Sequence, residues 1–129
     1  MRILGLIIVV LALLACRQMR GTPEEELINR TAEILNTKEC GKLVTAHNAD
    51  RAYACKVLDG ERIRKRVEIQ VYNDTGIAAM NRGVAAHSCK SLKAWETDGF
   101  YLSNPPAFVC AMDLGSDELE ALKKSLNSI

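Results

Sequence analysis

The chain has 129 residues, with 17 Lys and Arg against 16 Asp and Glu, so its formal net charge is +1 at pH 7. This length corresponds to one domain of ordinary size, which can bury a core without many cross-links. The even charge balance provides no overall electrostatic attraction to nucleic acid or acidic polymers, and no nucleic-acid partner is expected.

The first sixteen residues, MRILGLIIVVLALLAC, begin with one positive charge at Arg2 and continue with an apolar run over residues 3–15. This run is too short for a spanning helix, which needs about 20 residues. It ends in Leu13-Leu14-Ala15-Cys16. That ending resembles the lipobox of bacterial lipoprotein signal peptides, in which a bulky apolar residue and a small residue precede an invariant Cys. The alternatives are a buried core helix and an ordinary secretory signal, which usually ends in a small-x-small cleavage site.

The lipobox resemblance implies a lipid anchor. Cys16 would be diacylated through its sulfur and become the new N-terminus after removal of residues 1–15. Residues 16–22 would form a tether and residues 23–129 a single domain, and the mature chain 16–129 would have a charge near zero. Two or more acyl chains, palmitate among them, hold a protein stably at a bilayer. Because Arg17 replaces the Asp that retains enteric lipoproteins in the inner membrane, the resemblance implies the bacterial outer membrane, facing the periplasm.

Hydrophobic periodicity and turn residues predict three helices and about five strands. In chain order, the predicted elements are a helix at 23–36, strands at 43–46, 52–58 and 62–72, a helix at 77–88, a strand at 91–102 interrupted at 97–99, a strand at 107–114, and a helix at 117–127. This order, α-β-β-β-α-β-β-α, predicts an α+β fold with a small, mainly antiparallel sheet and helices on one face. The second helix is expected to form a crossover between strands.

Capping residues and side-chain spacing define the helices further. Thr22 can cap the first helix, Pro23 suits its first position, and Ser116 can cap the last helix. The second helix carries larger side chains on one side: Ile77, Met80, Val84 and His87. Its alanines make it thin enough to lie close to a sheet: Ala78, Ala79, Ala85 and Ala86.

Four cysteines follow the lipobox: Cys40, Cys55, Cys89 and Cys110. An even number in an exported domain predicts two disulfides, with three possible pairings. Pairing neighbours along the chain, Cys40 with Cys55 and Cys89 with Cys110, closes the shortest loops and is favoured. A zinc site built from the four thiolates is the alternative, but the C-x2-C spacing typical of such sites is absent, and no metal is predicted.

Two groups of residues are candidates for partner binding. Arg62, Arg64 and Arg66 would line one face of a strand and could meet lipid phosphates, lipopolysaccharide or an acidic protein. A charged strand that discourages aggregation is the structural alternative. Trp95 and Tyr101 precede a rigid Pro-Pro loop, as aromatic residues of recognition surfaces often do, although such residues are also common in cores.

The chain contains two histidines, His47 and His87, and no catalytic motif is recognised around them. No catalytic residue and no cofactor is therefore predicted. The expected function is a non-enzymatic, lipid-anchored envelope protein that binds another protein. Its class would be a secretion or conjugation accessory protein, an exclusion protein or a toxin-immunity protein. The alternative is a small envelope enzyme or ligand-binding module with a pocket near His87 and Asp98.

Overall fold

The computed structural model describes residues 22–129. Its elements, in chain order, are α1 (Pro23–Leu35), β1 (Cys40–Lys42), β2 (Arg51–Asp59), β3 (Arg62–Val71), α2 (Thr75–Lys90), β4 (Thr97–Ser103), β5 (Pro106–Met112) and α3 (Ser116–Asn127). The predicted α+β class and element order are confirmed. The predicted signal peptide, the lipidation of Cys16 and most of the tether lie outside the described residues. Within 22–129, no helix is long and apolar enough to cross a bilayer.

The five strands form one antiparallel sheet in the order β1-β2-β3-β5-β4. Because β5 runs antiparallel to both of its neighbours, β3 and β4 are parallel to each other with β5 between them. The helix α2 connects these two parallel strands, so the expected crossover is present.

The two faces of the sheet carry different helices, because side chains alternate between the faces along β5. One set joins the core that includes Leu27 of α1 and Leu122 of α3: Ala107, Val109 and Ala111. The other set packs against α2: Phe108, Cys110 and Met112. The prediction that all helices lie on one face is therefore wrong, since β5 is apolar on both faces and needs cover on each.

The helix α2 contacts β4 and β5 and leaves the β1–β2–β3 half of its face without a helix. The side chains of β2 and β3 on that half are partly exposed: Ala54, Lys56, Arg66 and Glu68. This half-covered sheet creates the concave surfaces described below.

The predicted strand at 43–46 is wrong, and β1 lies earlier, at Cys40–Lys42. Cys40 is held directly opposite Cys55 by a disulfide. Beyond β1, the Leu43 N–H still donates to the Ala52 carbonyl at 2.9 Å, but the chain then leaves β2. It turns over the sheet with positive φ angles at His47 and Asn48, 54° and 60°.

The predicted strand at 91–96 is also wrong. The helix α2 continues to Lys90, and the Ser91 N–H donates to the His87 carbonyl at 3.0 Å, which keeps this segment in a turn. The predicted interruption at 97–99 lies inside β4. Gly99 suits this position of the strand because it has no side chain, and the ring of Phe108 occupies the space that a side chain would need.

The observed start of α1 agrees with the prediction from the sequence, whereas the starts of α2 and α3 differ from it. The Thr22 hydroxyl accepts a hydrogen bond from the Glu25 N–H at 3.2 Å, as predicted. At α2, the carboxylate of Asp74 accepts a hydrogen bond from the Ile77 N–H at 2.9 Å, and the helix begins at Thr75. Ser116 does not cap α3 but is its first residue, and the cap position is Gly115.

Both disulfides have the predicted pairing of chain neighbours. Cys40–Cys55 joins β1 to β2 across 15 positions of sequence, and Cys89–Cys110 joins α2 to β5 across 21 positions. The second disulfide fixes α2 to the one strand that is buried on both faces.

Candidate functional site

Three of the five predicted binding residues surround one depression at the end of the sheet. Arg62 and Arg64, from the start of β3, face Trp95, which lies between α2 and β4. The depression measures about 470 Å³ and is lined by Asp59, Arg62, Ile63, Arg64, Ala94, Trp95 and Asp113, here termed the arginine–tryptophan surface. Residues distant in sequence are thus brought together, as a binding surface requires.

Local contacts fix the shape of this surface. The β2–β3 turn passes through Gly60 at a positive φ of 64°, which places Arg62 immediately after the turn. Trp95 packs against the cluster that contains Met112 and Phe108. Next to it, the Glu96 N–H donates to the Asp113 carboxylate and the Asp113 N–H donates to the Glu96 carbonyl, both at 2.8 Å. The backbone that carries Trp95 is therefore fastened to the end of β5.

The charges of the arginine–tryptophan surface are mixed. Arg62 and Arg64 are exposed, while Asp59 and Asp113 contribute two carboxylates to the same depression. The intervening Lys65 points to the other face of the sheet. Its Nζ lies 2.8 Å from the Glu118 carboxylate of α3. The surface therefore offers separated positive and negative groups around one indole rather than a uniformly basic row.

Arg66 and Tyr101 lie away from this surface. Arg66 lines a neighbouring depression of about 320 Å³ that also includes Lys56. The Nε atom of Arg66 lies 3.0 Å from the Glu68 carboxylate. This nitrogen is buried and makes no hydrogen bond within the described residues, so the contact is an ion pair without hydrogen-bond geometry. Tyr101 lies on β4, where the guanidinium of Arg82 sits 5.8 Å from the centre of its ring.

A second concave feature, which the sequence did not indicate, lies between α2 and the open half of the sheet. This α2 cleft measures about 120 Å³ and is lined by Ala46, His47, Glu68, Gln70, Ala85, Ser88, Cys89, Leu92, Phe108 and Cys110. The buried Gln70 accepts a hydrogen bond from the Ala46 N–H at 3.0 Å, which holds the 43–49 loop over the cleft. The cleft is smaller than typical small-molecule sites, which span about 300–1,000 Å³.

The larger apolar side chains of α2 face away from the core. The predicted apolar side is exposed: Ile77 at 44%, Met80 at 82% and Val84 at 58%. The helix buries Ala78, Ala85 and Cys89 instead. Small alanines permit close approach to the sheet, and the Cys89–Cys110 disulfide holds that side against β5. The larger residues are therefore left on the surface.

His87 and Asp98, predicted to flank a pocket in the alternative reading, lie on opposite faces of the sheet. His87 is exposed on α2, whereas Asp98 of β4 points toward α3 and lies 3.5 Å from the Lys123 Nζ. One cavity therefore does not include both side chains. His47 lines the α2 cleft without either of them.

At the opposite end of the sheet from the arginine–tryptophan surface, Arg51 joins the starts of α1 and α2. Its Nε lies 2.6 Å from the Glu24 carboxylate, and its terminal nitrogen donates to the Asn73 side chain at 2.8 Å. The Tyr53 hydroxyl donates to the same Glu24 carboxylate at 2.5 Å. Burial alone would raise the pKa of Glu24, but the hydrogen bonds from Arg51 and Tyr53 outweigh it and lower this pKa.

The same hydrogen bond shifts the pKa of Tyr53 in the opposite direction. Its hydrogen bond to the Glu24 carboxylate, together with burial, raises the pKa of its phenol. The pKa of Tyr72 is also raised, chiefly by burial, and its hydroxyl donates to the His47 carbonyl at 2.9 Å. These groups stay protonated at neutral pH and act as fixed hydrogen-bond donors.

Among residues 22–129, no group of three or more His, Cys, Asp or Glu side chains is placed to hold a metal ion. No protein-family model matches this chain, and neither a curated protein nor a solved structure is significantly similar to it.

Proposed function

We propose that this chain is a lipid-anchored protein of the bacterial cell envelope whose domain binds another protein through the arginine–tryptophan surface. The lipobox resemblance at Cys16 supports the anchor, and the two disulfides are typical of an oxidising compartment outside the cytosol. The observation that carries the binding role is the assembly of Arg62, Arg64 and Trp95 around one depression.

The position of this surface suits a protein held at a membrane. The tether would enter the domain at the start of α1, next to Arg51, which pairs with Val71 at the last position of β3. Arg62 stands at the first position of that strand. Ten residues of β-strand span about 30 Å at roughly 3.3 Å per residue. An anchored domain would therefore present the arginine–tryptophan surface away from the bilayer.

The residue types suit protein recognition. Arg and Trp are enriched among the few interface residues that contribute most of the binding energy. Arg can pair with a carboxylate through two parallel hydrogen bonds, and the exposed edge of an indole offers apolar area beside it. The expected partner surface presents at least one carboxylate next to an apolar side chain. A secretion or conjugation accessory protein, an exclusion protein or a toxin-immunity protein could each use such a contact.

The test is site-specific photocrosslinking in intact cells. A photoreactive amino acid replaces Arg62 in one variant and the exposed Glu120 of α3 in a control variant. The Arg62 position is expected to give a discrete heavier species that the Glu120 position does not give. Trp95→Ala, added to the Arg62 variant, is expected to reduce that species at least about tenfold, because loss of an interface anchor commonly costs about 2 kcal/mol or more.

Two results would contradict the proposed binding role. One is the same set of adducts from the Arg62 and Glu120 positions. The other is the absence of any adduct at Arg62 in a strain in which deletion of this protein has a phenotype. A thermal melt of Trp95→Ala distinguishes lost binding from lost folding. Flotation of the wild-type protein and of Cys16→Ser with membranes tests the anchor separately, and only the wild type is expected to float.

A further inference from the structure

Three of the six large apolar side chains that are exposed within residues 22–129 lie at the end of the domain where the tether enters, and the other three are Leu58, Val84 and Leu92. Met80 and Ile77 belong to the first turns of α2 and are exposed at 82% and 44%. Val44, exposed at 86%, belongs to the 43–49 loop, which a hydrogen bond from Asn48 to Asn81 of α2 fastens to the same helix. These three exposed residues at one end of the domain, Val44, Ile77 and Met80, are here termed the apolar end patch.

The start of α1 and the start of α2 are tied to one side chain. Arg51 pairs with Glu24, the second residue of α1, and also binds Asn73, which directly precedes the Asp74 cap of α2. Met80 is the sixth residue of α2, about 8 Å along the helix at 1.5 Å per residue. The apolar end patch is therefore close to the point where the chain from Cys16 arrives.

The length of that chain limits the distance between the patch and a bilayer. Six peptide steps connect Cys16 to Thr22, and a fully extended chain covers at most about 3.6 Å per residue, or about 22 Å here. An acylated Cys16 would lie at the bilayer surface. The end of the domain that carries the patch could then reach that surface, whereas the arginine–tryptophan surface lies about 30 Å further along β3.

We infer that the apolar end patch docks on the lipid surface and orients the anchored domain. This inference rests on the lipid anchor of the proposed function. Apolar side chains that reach the boundary between headgroups and acyl chains gain free energy from burial. Charges of both signs lie at this end of the domain: Glu25, Asp50 and Asp74 are exposed, Lys42 and Arg51 line one depression with Asp50, and the tether carries Arg17 and Arg20. The docking is therefore driven by apolar contact and not by one sign of charge.

Tryptophan quenching by brominated lipid tests this inference on the full lipidated protein. The chain has one tryptophan, Trp95, at the far end, so the wild type serves as the control. The test variant carries Met80→Trp and Trp95→Phe. In phosphatidylcholine vesicles with brominated acyl chains, its emission is expected to fall by roughly half, because docked side chains enter about 5–10 Å into the boundary region. The emission of the wild type is expected to stay unchanged.

Further outcomes separate this inference from the proposed function. Adding Ile77→Asp to the test variant is expected to reduce the quenching. A vesicle-bound protein with no quenching at position 80, or with equal quenching at position 95, overturns the docking and leaves the anchor intact. If the tryptophan at position 80 becomes shielded as the protein density on the vesicles rises, whether or not the lipid is brominated, the patch contacts a second copy of the chain. That result also overturns the docking on lipid. A protein that does not bind vesicles overturns both.

Discussion

Replacing Gly99 with Ala tests how α2 is seated on the sheet. A Cβ at Gly99 would lie 2.6 Å from the Phe108 Cζ and 3.5 Å from the Cys89 sulfur. Carbon atoms in good contact are about 3.5–4.0 Å apart, so the Phe108 ring would have to move by about 1 Å. The ring is 5% exposed and packs with Ala85 and Cys110, which leaves it little room.

The expected cost follows from overpacking. Forcing one extra carbon into a well-packed site typically costs about 1–3 kcal/mol of unfolding free energy. For a domain of this size, that corresponds to a fall of roughly 4–12 °C in Tm. Differential scanning calorimetry of Gly99→Ala measures the change directly.

Gly83→Ala provides the matched control. Gly83 lies in the middle of α2, and nothing stands within 4 Å of an added Cβ. The same substitution should therefore raise the unfolding free energy, by about 0.5–1 kcal/mol. Phe108→Leu combined with Gly99→Ala should cost less than the sum of the two single changes, because the leucine lacks the clashing atom. An unchanged or higher Tm for Gly99→Ala would refute the packing described for α2, Gly99 and Phe108.

Two further predictions concern cross-links and charge. Removing either disulfide, as Cys40→Ala with Cys55→Ala or as Cys89→Ala with Cys110→Ala, should lower the unfolding free energy by about 3 kcal/mol in denaturant melts; coincident melts would contradict this. Because the folded pKa of Glu24 lies below its ordinary value of 4.5, its ionised contacts stabilise the fold fully above that pH and progressively less as pH falls through the folded pKa. Glu24→Gln should therefore lower the free energy of unfolding by up to about 1 kcal/mol at pH 7, and this difference from the wild type should shrink below about pH 4.5. A difference in unfolding free energy that does not change with pH would contradict this.

The sequence predicted the order of elements because each long element carries its own local signal. Residues 62–71 alternate between apolar and polar side chains as a half-buried strand does, and α1 begins with a side-chain cap followed by proline. The pairing of the cysteines also followed from local spacing.

Features that depend on distant contacts were wrong or missed. Periodicity grouped Ile77, Met80 and Val84 on one side of α2 without showing which side packs. The sheet accepts the alanine side, where Cys89 forms the disulfide to β5. Thr97-Asp98-Gly99 resembles a turn, yet it lies in β4 because it pairs with residues 110–112 of β5. The approach of Trp95 to Arg62 depends on the pairing of β3 with β5, which no short motif indicates.

The orientation of α2 on the sheet bears on the functional interpretation. With its alanines against the sheet, the larger apolar residues of this helix become available at the surface, at the end where an anchored chain would enter. The arginine–tryptophan surface stands at the other end of β3. The domain thus has two chemically different ends, an apolar one suited to lipid and a charged, aromatic one suited to protein.

The intact mass of the protein extracted from membranes, measured beside Cys16→Ser, tests the proposed anchored and disulfide-linked domain most directly. The wild type is expected to match residues 16–129 plus acyl groups and minus four hydrogens, the number lost when two disulfides form. Cys16→Ser is expected to carry no acyl groups. An unmodified wild-type mass that begins at Met1, with free thiols, would contradict the lipid anchor and export together.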